Sequence, residues 1–285
     1  MAGIATASCR ILAARHFGGG AVGKAVLACA GLVAIACLAS REPSSSGGEL
    51  IPKTSDVDGN APTLSVSPNG RSLIYQRATS APDRPDFSLI DLNTQDVRPI
   101  ALTESAAAAV RARGAVVGWR IGWSRDEGTA FLLSGDQALI LAARARPEGR
   151  TWELADPRVQ KIWLQPESTG RFQVVGAGTN EAKIVDSAQQ GLVVASHRRS
   201  EGNVVIENLR VSPDETYLAY GVSSGRTFVS PTQGYVLRLD RRSEGRLLAA
   251  PLYGAFVWSP IGEKVFGVSR EGQARVGIYR WSVDR

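Results

Sequence analysis

Leu209-Arg210-Val211-Ser212-Pro213-Asp214, with Leu218-Ala219-Tyr220 close behind, decides the fold of this chain. Leu209 and Val211 flank a polar residue, the period-2 pattern of a strand with one buried face. Pro213 presets φ for the first corner of a turn, and Asp214 can hydrogen-bond its own backbone two residues on. Leu218-Ala219-Tyr220 then reads as a second strand. The segment is a tight antiparallel hairpin.

The same arrangement recurs along the chain. Leu64-Ser65-Val66-Ser67-Pro68-Asn69-Gly70 precedes it, as do Ile121-Gly122-Trp123-Ser124-Arg125-Asp126 and Ile162-Trp163-Leu164-Gln165-Pro166-Glu167; Phe256-Val257-Trp258-Ser259-Pro260-Ile261-Gly262 follows. Ser67, Ser124, Gln165, Ser212 and Ser259 stand 57, 41, 47 and 47 residues apart, and the positions one and three before each are apolar in all five copies. A second apolar run follows every turn: Leu73-Ile74-Tyr75, Phe131-Leu132-Leu133, Phe172-Gln173-Val174-Val175, Leu218-Ala219-Tyr220 and Val265-Phe266-Gly267-Val268. Two further strands are expected in most copies, such as Ala182–Ala188 with Leu192–Ser196, or Tyr235–Asp240 with Leu247–Ala250. Four antiparallel strands per repeat of this length is the arithmetic of a propeller blade.

At these residues the chain resembles the TolB-type, WD-like propeller repeat, whose hallmark is Ser-Pro-Asp-Gly between the first two strands. The resemblance covers residues 49–285 and implies an all-β propeller; the five motifs then give a five-bladed β-propeller of four-stranded antiparallel blades. Ser67, Pro68, Gly70, Ser124, Gln165, Pro166, Ser212, Pro213, Asp214, Ser259, Pro260 and Gly262 then have structural roles in the repeat. The copies depart from the hallmark where Arg125 replaces the proline, Gln165 the serine and Glu215 the glycine. The last copy reaches only its third strand at Trp281, while residues 49–54 precede the first motif without a partner of their own. That segment is expected to close the last blade, removing two open edges. The long first interval leaves room for a short helix over Ser105–Ala112.

The first forty residues read as an address. Arg10, Arg15 and Lys24 are followed by an uncharged run from Ala25 to Ser40, a basic region and then a short apolar one, as in a secretory signal. The run is short for the ~30 Å hydrocarbon core. Val33-Ala34-Ile35-Ala36-Cys37 resembles a bacterial lipobox, with Ala34 where leucine is preferred; Cys29 lies too close to Lys24 to serve. The expected organisation is a signal peptide over residues 1–36, a lipidated Cys37 with a flexible linker over 37–48, and the propeller over 49–285. An uncleaved signal anchor is the alternative. The absence of Asp after Cys37 resembles lipoproteins sent to the outer membrane of a Gram-negative envelope.

Composition narrows the function. Hydrophobic residues make up 44% and charged residues 21%, which excludes wholesale disorder; the mean hydropathy of −0.07 excludes a polytopic membrane protein. Thirty glycines suit a turn-rich chain. The three cysteines are Cys9, Cys29 and Cys37, so the body holds neither a disulfide framework nor a cysteine zinc site. Three of the cations behind the net charge of +6 precede Cys37, and the others interleave with acids, so nucleic acid is not an expected partner.

Several motifs suggest chemistry. Gly221-Val222-Ser223-Ser224-Gly225 matches the nucleophile-elbow pattern, but no helix pattern follows, His197 is the sole base in the body, and Ser223 reads as part of a hairpin loop. Gly176-Ala177-Gly178-Thr179-Asn180-Glu181 lacks the third glycine of a dinucleotide fingerprint and reads as a turn. His197 reads as a solvated loop residue. Asp56, Asp58, Asp126, Asp136, Asp214 and Asp240 could supply a carboxylate pair for a propeller-type glycoside hydrolase, the enzymatic alternative. Trp123, Trp163 and Trp258 recur near first-strand ends and read as anchors between blades, whereas Trp119, Trp152 and Trp281 are candidates for a sugar- or peptide-facing surface. The sequence thus points to a non-catalytic, envelope-anchored binding scaffold with a membrane anchor, a protein partner, no cofactor and no metal.

Overall fold

The computed structural model describes residues 47–59, 63–78, 86–113, 119–124, 129–134, 139–144, 151–155, 162–164, 170–224, 232–240, 245–270 and 276–283. The leader, Cys37, Asp126, Asp136, Gln165 and Pro166 lie outside the described residues.

The chain is all-β apart from one helix and a short 3-10 turn among the described residues. A two-residue strand β1 (Glu49–Leu50) opens it. The first repeat is β2 (Leu64–Val66), β3 (Ser72–Gln76), β4 (Phe87–Asp91) and β5 (Asp96–Leu102), an antiparallel meander. The second is β6 (Trp119–Ser124), β7 (Thr129–Ser134), β8 (Ile140–Arg144) and β9 (Thr151–Leu154), paired in the same way. The third contains β10 (Ile162–Trp163), β11 (Phe172–Val175), β12 (Glu181–Asp186) and β13 (Leu192–Arg198). The fourth begins with β14 (Val205–Val211), β15 (Tyr217–Ser223) and β16 (Thr232–Arg238). The 13-residue β17 (Arg246–Trp258) ends the fourth repeat and starts the fifth, which continues through β18 (Lys264–Ser269) and β19 (Gly277–Ser282).

Helix α1 (Glu104–Arg113) fills the long first interval, as the alanine run predicts. Thr103 caps it: its Oγ1 accepts from Ala106 N at 3.3 Å and donates to the Trp152 carbonyl at 3.1 Å. Ala106 and Val110 bury their side chains beside Trp152, which orients the helix.

The strands are hydrogen-bonded into three sheets rather than five separate four-stranded ones, a correction to the expected partition. Two features join repeats. The first half of β17 pairs with β16 and the second half with β18, so one strand serves both repeats. Parallel pairing of Ala101 and Leu102 with Thr151 and Trp152 links β5 to β9. The third repeat departs further. Its β10 pairs with β6 of the preceding repeat, leaving β11, β12 and β13 as a three-stranded sheet. Gln165 stands where the other copies place serine, and the serine hydroxyl is what fastens the first hairpin in those copies.

That fastening is uniform. Ser67, Ser124, Ser212 and Ser259 each accept, on Oγ, the backbone N–H five residues on, from Ser72, Thr129, Tyr217 and Lys264, at 2.9 to 3.0 Å. In the first and fourth copies the same hydroxyl donates to Asn69 Oδ1 at 2.7 Å and Asp214 Oδ1 at 2.5 Å. The turn residue after them takes positive φ: 69° at Gly70, 57° at Glu215 and 76° at Gly262.

The core lies between repeats. One cluster sets Ile74 and Phe87 of the first repeat against Trp123 and Leu132 of the second. Another sets Phe172 and Ile184 of the third against Ile206 and Leu218 of the fourth. A further one joins Tyr217 and Val236 to Trp258 and Val265. The last joins Val66 and Leu73 of the first repeat to Val257 and Phe266 of the fifth, with Ile51 and Val57 between them.

Residues 49–58 make that last junction. β1 pairs with β19, Glu49 opposite Arg280 and Leu50 opposite Tyr279. Ile51 N donates to the Ile278 carbonyl at 2.8 Å, and Ile278 N returns a bond to Thr54 Oγ1 at 3.0 Å. Beyond them Asp58 N bonds the Gln76 carbonyl at 3.0 Å, reaching β3 of the first repeat.

Candidate functional site

First strands of all five repeats meet around a pocket of about 250 Å³. Thr63 and Ser65 come from the first repeat, Arg120 from the second, Leu164 from the third, Arg210 from the fourth and Val257 from the fifth. The lining runs through consecutive residues at Thr63–Ser65, Trp119–Ile121 and Ala255–Val257, with one residue each from the third and fourth repeats.

Bonds between repeats hold the wall. The Trp123 indole N–H donates to Ser65 Oγ at 2.9 Å, and the Trp258 indole N–H donates to the Arg210 carbonyl at 2.9 Å. Each tryptophan directly precedes its motif serine, and each acceptor lies two residues before the serine of the preceding copy. The repeat therefore encodes its own cross-link. Both indoles are buried, as anchors between repeats require. Thr63 Oγ1 adds a long bond to the Trp119 carbonyl at 3.4 Å. The side chain of Trp163 lies outside what is described.

The described lining includes two arginines and several apolar residues. Arg120 is exposed and Arg210 half-buried, while Leu64, Ile121 and Phe256 supply apolar surface. No lining residue among those described is acidic.

The carboxylates singled out from the sequence are engaged elsewhere. Asp56 accepts from Tyr75 Oη at 2.7 Å and from Arg77 Nε at 2.7 Å, tying the N-terminal segment to β3. Burial, and then the bond to Asp56, push the Tyr75 hydroxyl above its ordinary range. Asp214 sits in the turn between β14 and β15. Partial burial would raise its carboxyl, but hydrogen bonds from Ser212 and Thr216 outweigh that and hold it below the usual carboxylate range. Asp240 pairs with Arg238 at 2.7 Å. Neither these nor Asp58 line the pocket among its described residues, and the structure does not bring them together there.

Three expectations are corrected. Ser223 is not in a hairpin loop but ends strand β15, opposite Val205, and is buried. His197 is not a solvated loop residue. It lies on β13 with its ring 4.7 Å from that of Tyr235, and its Nε2 is 3.0 Å from Tyr220 Oη. Tyr220 and Tyr235 stack, and burial raises both hydroxyls above the ordinary tyrosine range. Trp152 and Trp281 are not surface residues: they are 0% and 2% exposed. Phe87 meets Trp152 edge-on and Phe256 meets Trp281 likewise, so both complete the core. Their indole nitrogens have no acceptor among the described residues. Period-2 reading missed them because each falls on the inward face of a strand whose register only pairing defines. Trp119 alone of that group lines the pocket, half-buried.

No family model matches the chain, and no curated protein matches it. Solved structures do. The β-propeller domain of Cps50 (Swd1) from Myceliophteria thermophila is 13% identical, with 83% of this chain and 100% of that one covered and a TM-score of 0.33. TolB from Acinetobacter baumannii is 14% identical over 78% of this chain and 54% of that one, with a TM-score of 0.31. A prolyl endopeptidase is 14% identical over 78% of this chain and 27% of that one, with a TM-score of 0.27. The chain is an all-β protein of repeated antiparallel strands, and β-propellers, TolB among them, are the structures it is similar to.

Proposed function

We propose that this chain is an exported, lipid-anchored propeller of five blades that binds a protein partner through its inner-strand pocket and performs no chemistry of its own. The pocket carries the reading, because residues just before the motif turn of all five repeats contribute to it. The five-blade count is supported by five repeats of the hairpin motif and by core clusters at four of the junctions, first with second, third with fourth, fourth with fifth and fifth with first, while the β10–β6 pairing joins the second to the third. The shared β17 and the β5–β9 pairing then connect blades without changing their number. A wall fixed by cross-repeat indole bonds suits recognition, since a preformed site loses little freedom on binding. Cys37 supplies the anchor, and residues after it the tether.

Site-specific photocrosslinking in the producing cell tests this. A benzophenone amino acid replaces Leu164 in the pocket or, in a second variant, Val193 on the exposed face of β13. The expected result is a discrete protein adduct in the envelope fraction from position 164 and none from position 193. Adducts from position 193 alone, or none from 164, would overturn the pocket as the binding face.

A further inference from the structure

Resting on the reading of this chain as a binding platform, we infer that its partner enters as a single extended segment, which adds to the open edge of β11 and takes the inner-strand position of the third repeat. β2, β6, β14 and β17 each pair with the second strand of their own repeat. β10 is bonded to β6 instead, and β11 pairs with β12 alone. The phase of that pairing shows what the edge offers. Ser187 N donates to the Arg171 carbonyl at 2.7 Å, so Gln173 and Val175 turn their backbone groups toward β12. The N–H and C=O of Phe172 and Val174 therefore point away from it, and no bond among the described residues reaches them. An open edge of this kind is a template for another chain, and strand addition is an established mode of peptide recognition.

The other repeats specify the segment. Arg71, Arg171 and Thr216 are equivalent, because the carbonyl of each accepts the N–H just past the third strand, from Leu92, Ser187 and Leu239 at 2.7 to 2.8 Å. Gln173 then matches Leu73 and Leu218, and Val175 matches Tyr75 and Tyr220. Those four are 0% exposed, whereas Gln173 is exposed and Val175 is 52% exposed. First strands bring apolar residues to these positions elsewhere: Leu64 and Val66 lie opposite Tyr75 and Leu73, and Val211 lies opposite Leu218. Polar Ser65 and Arg210 come between, opposite Ile74 and Ala219. The segment that fits β11 is thus an antiparallel strand with apolar residues opposite Gln173 and Val175 and a polar one opposite Val174. Its backbone satisfies Phe172 and Val174, and its apolar side chains cover Val175. The equivalent strands contribute Ser65, Ile121, Arg210 and Val257 to the pocket, so the added segment continues that wall. A second folded copy does not suit the position, since its own β11 brings β12 behind it. Val193 lies on β13, at the opposite edge of the sheet, and stays outside the contact.

The probe is a fluorescein-labelled peptide copying residues 62–68, Pro-Thr-Leu-Ser-Val-Ser-Pro, titrated into the full chain and read by anisotropy. Binding is expected, with the amides of Phe172 and Val174 exchanging rapidly in the free chain and at least about tenfold more slowly with peptide bound. N-methylation of the central serine removes the N–H that faces Val174 and should weaken binding at least about tenfold. N-methylation of the valine, whose N–H faces away, should change it by less than about twofold. In the chain, Val174→Pro removes an edge donor and no bond to β12, a position where proline is tolerated. Val175→Lys sets a charge against the apolar side chains of the segment. Each should weaken binding about tenfold, whereas Val193→Lys should not. Unaltered melting temperatures of the variants exclude misfolding as the cause. Absence of binding, equal effects of the two N-methyl groups, undiminished binding in both edge variants, or Phe172 and Val174 amides already protected in the free chain would each overturn the inference. The last result would mean that the chain's own residues fill the position. Any of these alongside an adduct at position 164 would leave the binding platform standing and strand addition refuted. Slowed amides and the N-methyl contrast without that adduct would place the partner at the edge and not in the pocket.

Discussion

Glu215 shows how much a single turn position costs. Its φ of 57° is left-handed, where the equivalent Gly70 and Gly262 sit without steric penalty. What Glu215 gains in return is an ion pair with Arg171 Nη1 at 3.0 Å, itself exposed and so worth only about 0.2–1 kcal/mol. Left-handed backbone costs a residue with a Cβ roughly 1–2 kcal/mol. The turn otherwise keeps its bonds, since Ser212 and Asp214 are unchanged. Glu215→Gly should therefore stabilise the fold by up to about 1 kcal/mol. Urea denaturation checks this, and the gain should grow at 0.5 M salt, where the lost ion pair is screened in the parent as well. A destabilised variant would mean that the Arg171 bridge between β11 and the fourth repeat outweighs the strain.

At the scale of elements, the N-terminal segment acts as a strap rather than as a full strand. Only Glu49 and Leu50 pair as β1, yet Ile51, Thr54 and Val57 continue the contact as buried side chains running from β19 to the first repeat. Burying an isoleucine and a valine is worth about 1.5–3 kcal/mol each, and the strap adds hydrogen bonds of roughly 0.5–1.5 kcal/mol. Truncation to residue 60 should thus cost several kcal/mol out of a stability typically about 5–15 kcal/mol, and expose the edge of β19. Truncation to residue 47 keeps Gly48, whose backbone lies against the Trp281 indole so closely that a Cβ there would collide with it. That shorter truncation should cost almost nothing. Calorimetric melting of both proteins decides, and equal melting temperatures would refute the strap.

For the whole molecule, attachment and recognition separate into different parts of the chain. No helix among the described residues is long and apolar enough to cross a membrane. The proposed anchor rests on Cys37 and the uncharged run before it. Cys37→Ser should move the protein out of the membrane fraction or leave its leader unprocessed, as fractionation and intact mass would show. The pocket is built from residues 63 onward, so the proposed partner binding should survive that substitution. A soluble parent protein with its mature N-terminus elsewhere would exclude lipidation and leave the pocket untouched.

The period-2 runs and the Ser-Pro turns by themselves determined that the chain is all-β and where its hairpins fold. Those are local signals: alternation defines a strand, and a serine five residues before its hydrogen-bonded amide defines a turn. The helix after Thr103 was legible for the same reason, as an alanine run behind a capping residue. Ser67, Ser124, Ser212 and Ser259 could be recognised because each satisfies backbone groups within six residues of itself. Only the tertiary structure decided which strand faces lie against which repeat. That placed Trp152 and Trp281 in the core, set His197 against Tyr220 and Tyr235, and let β17 serve two repeats. It also gathered Arg120 and Arg210, distant in the chain and unremarkable in it, at one pocket. The physical reason is that burial and charge neighbourhood arise from pairing between segments far apart in sequence, and alternation along one strand carries no record of its partner.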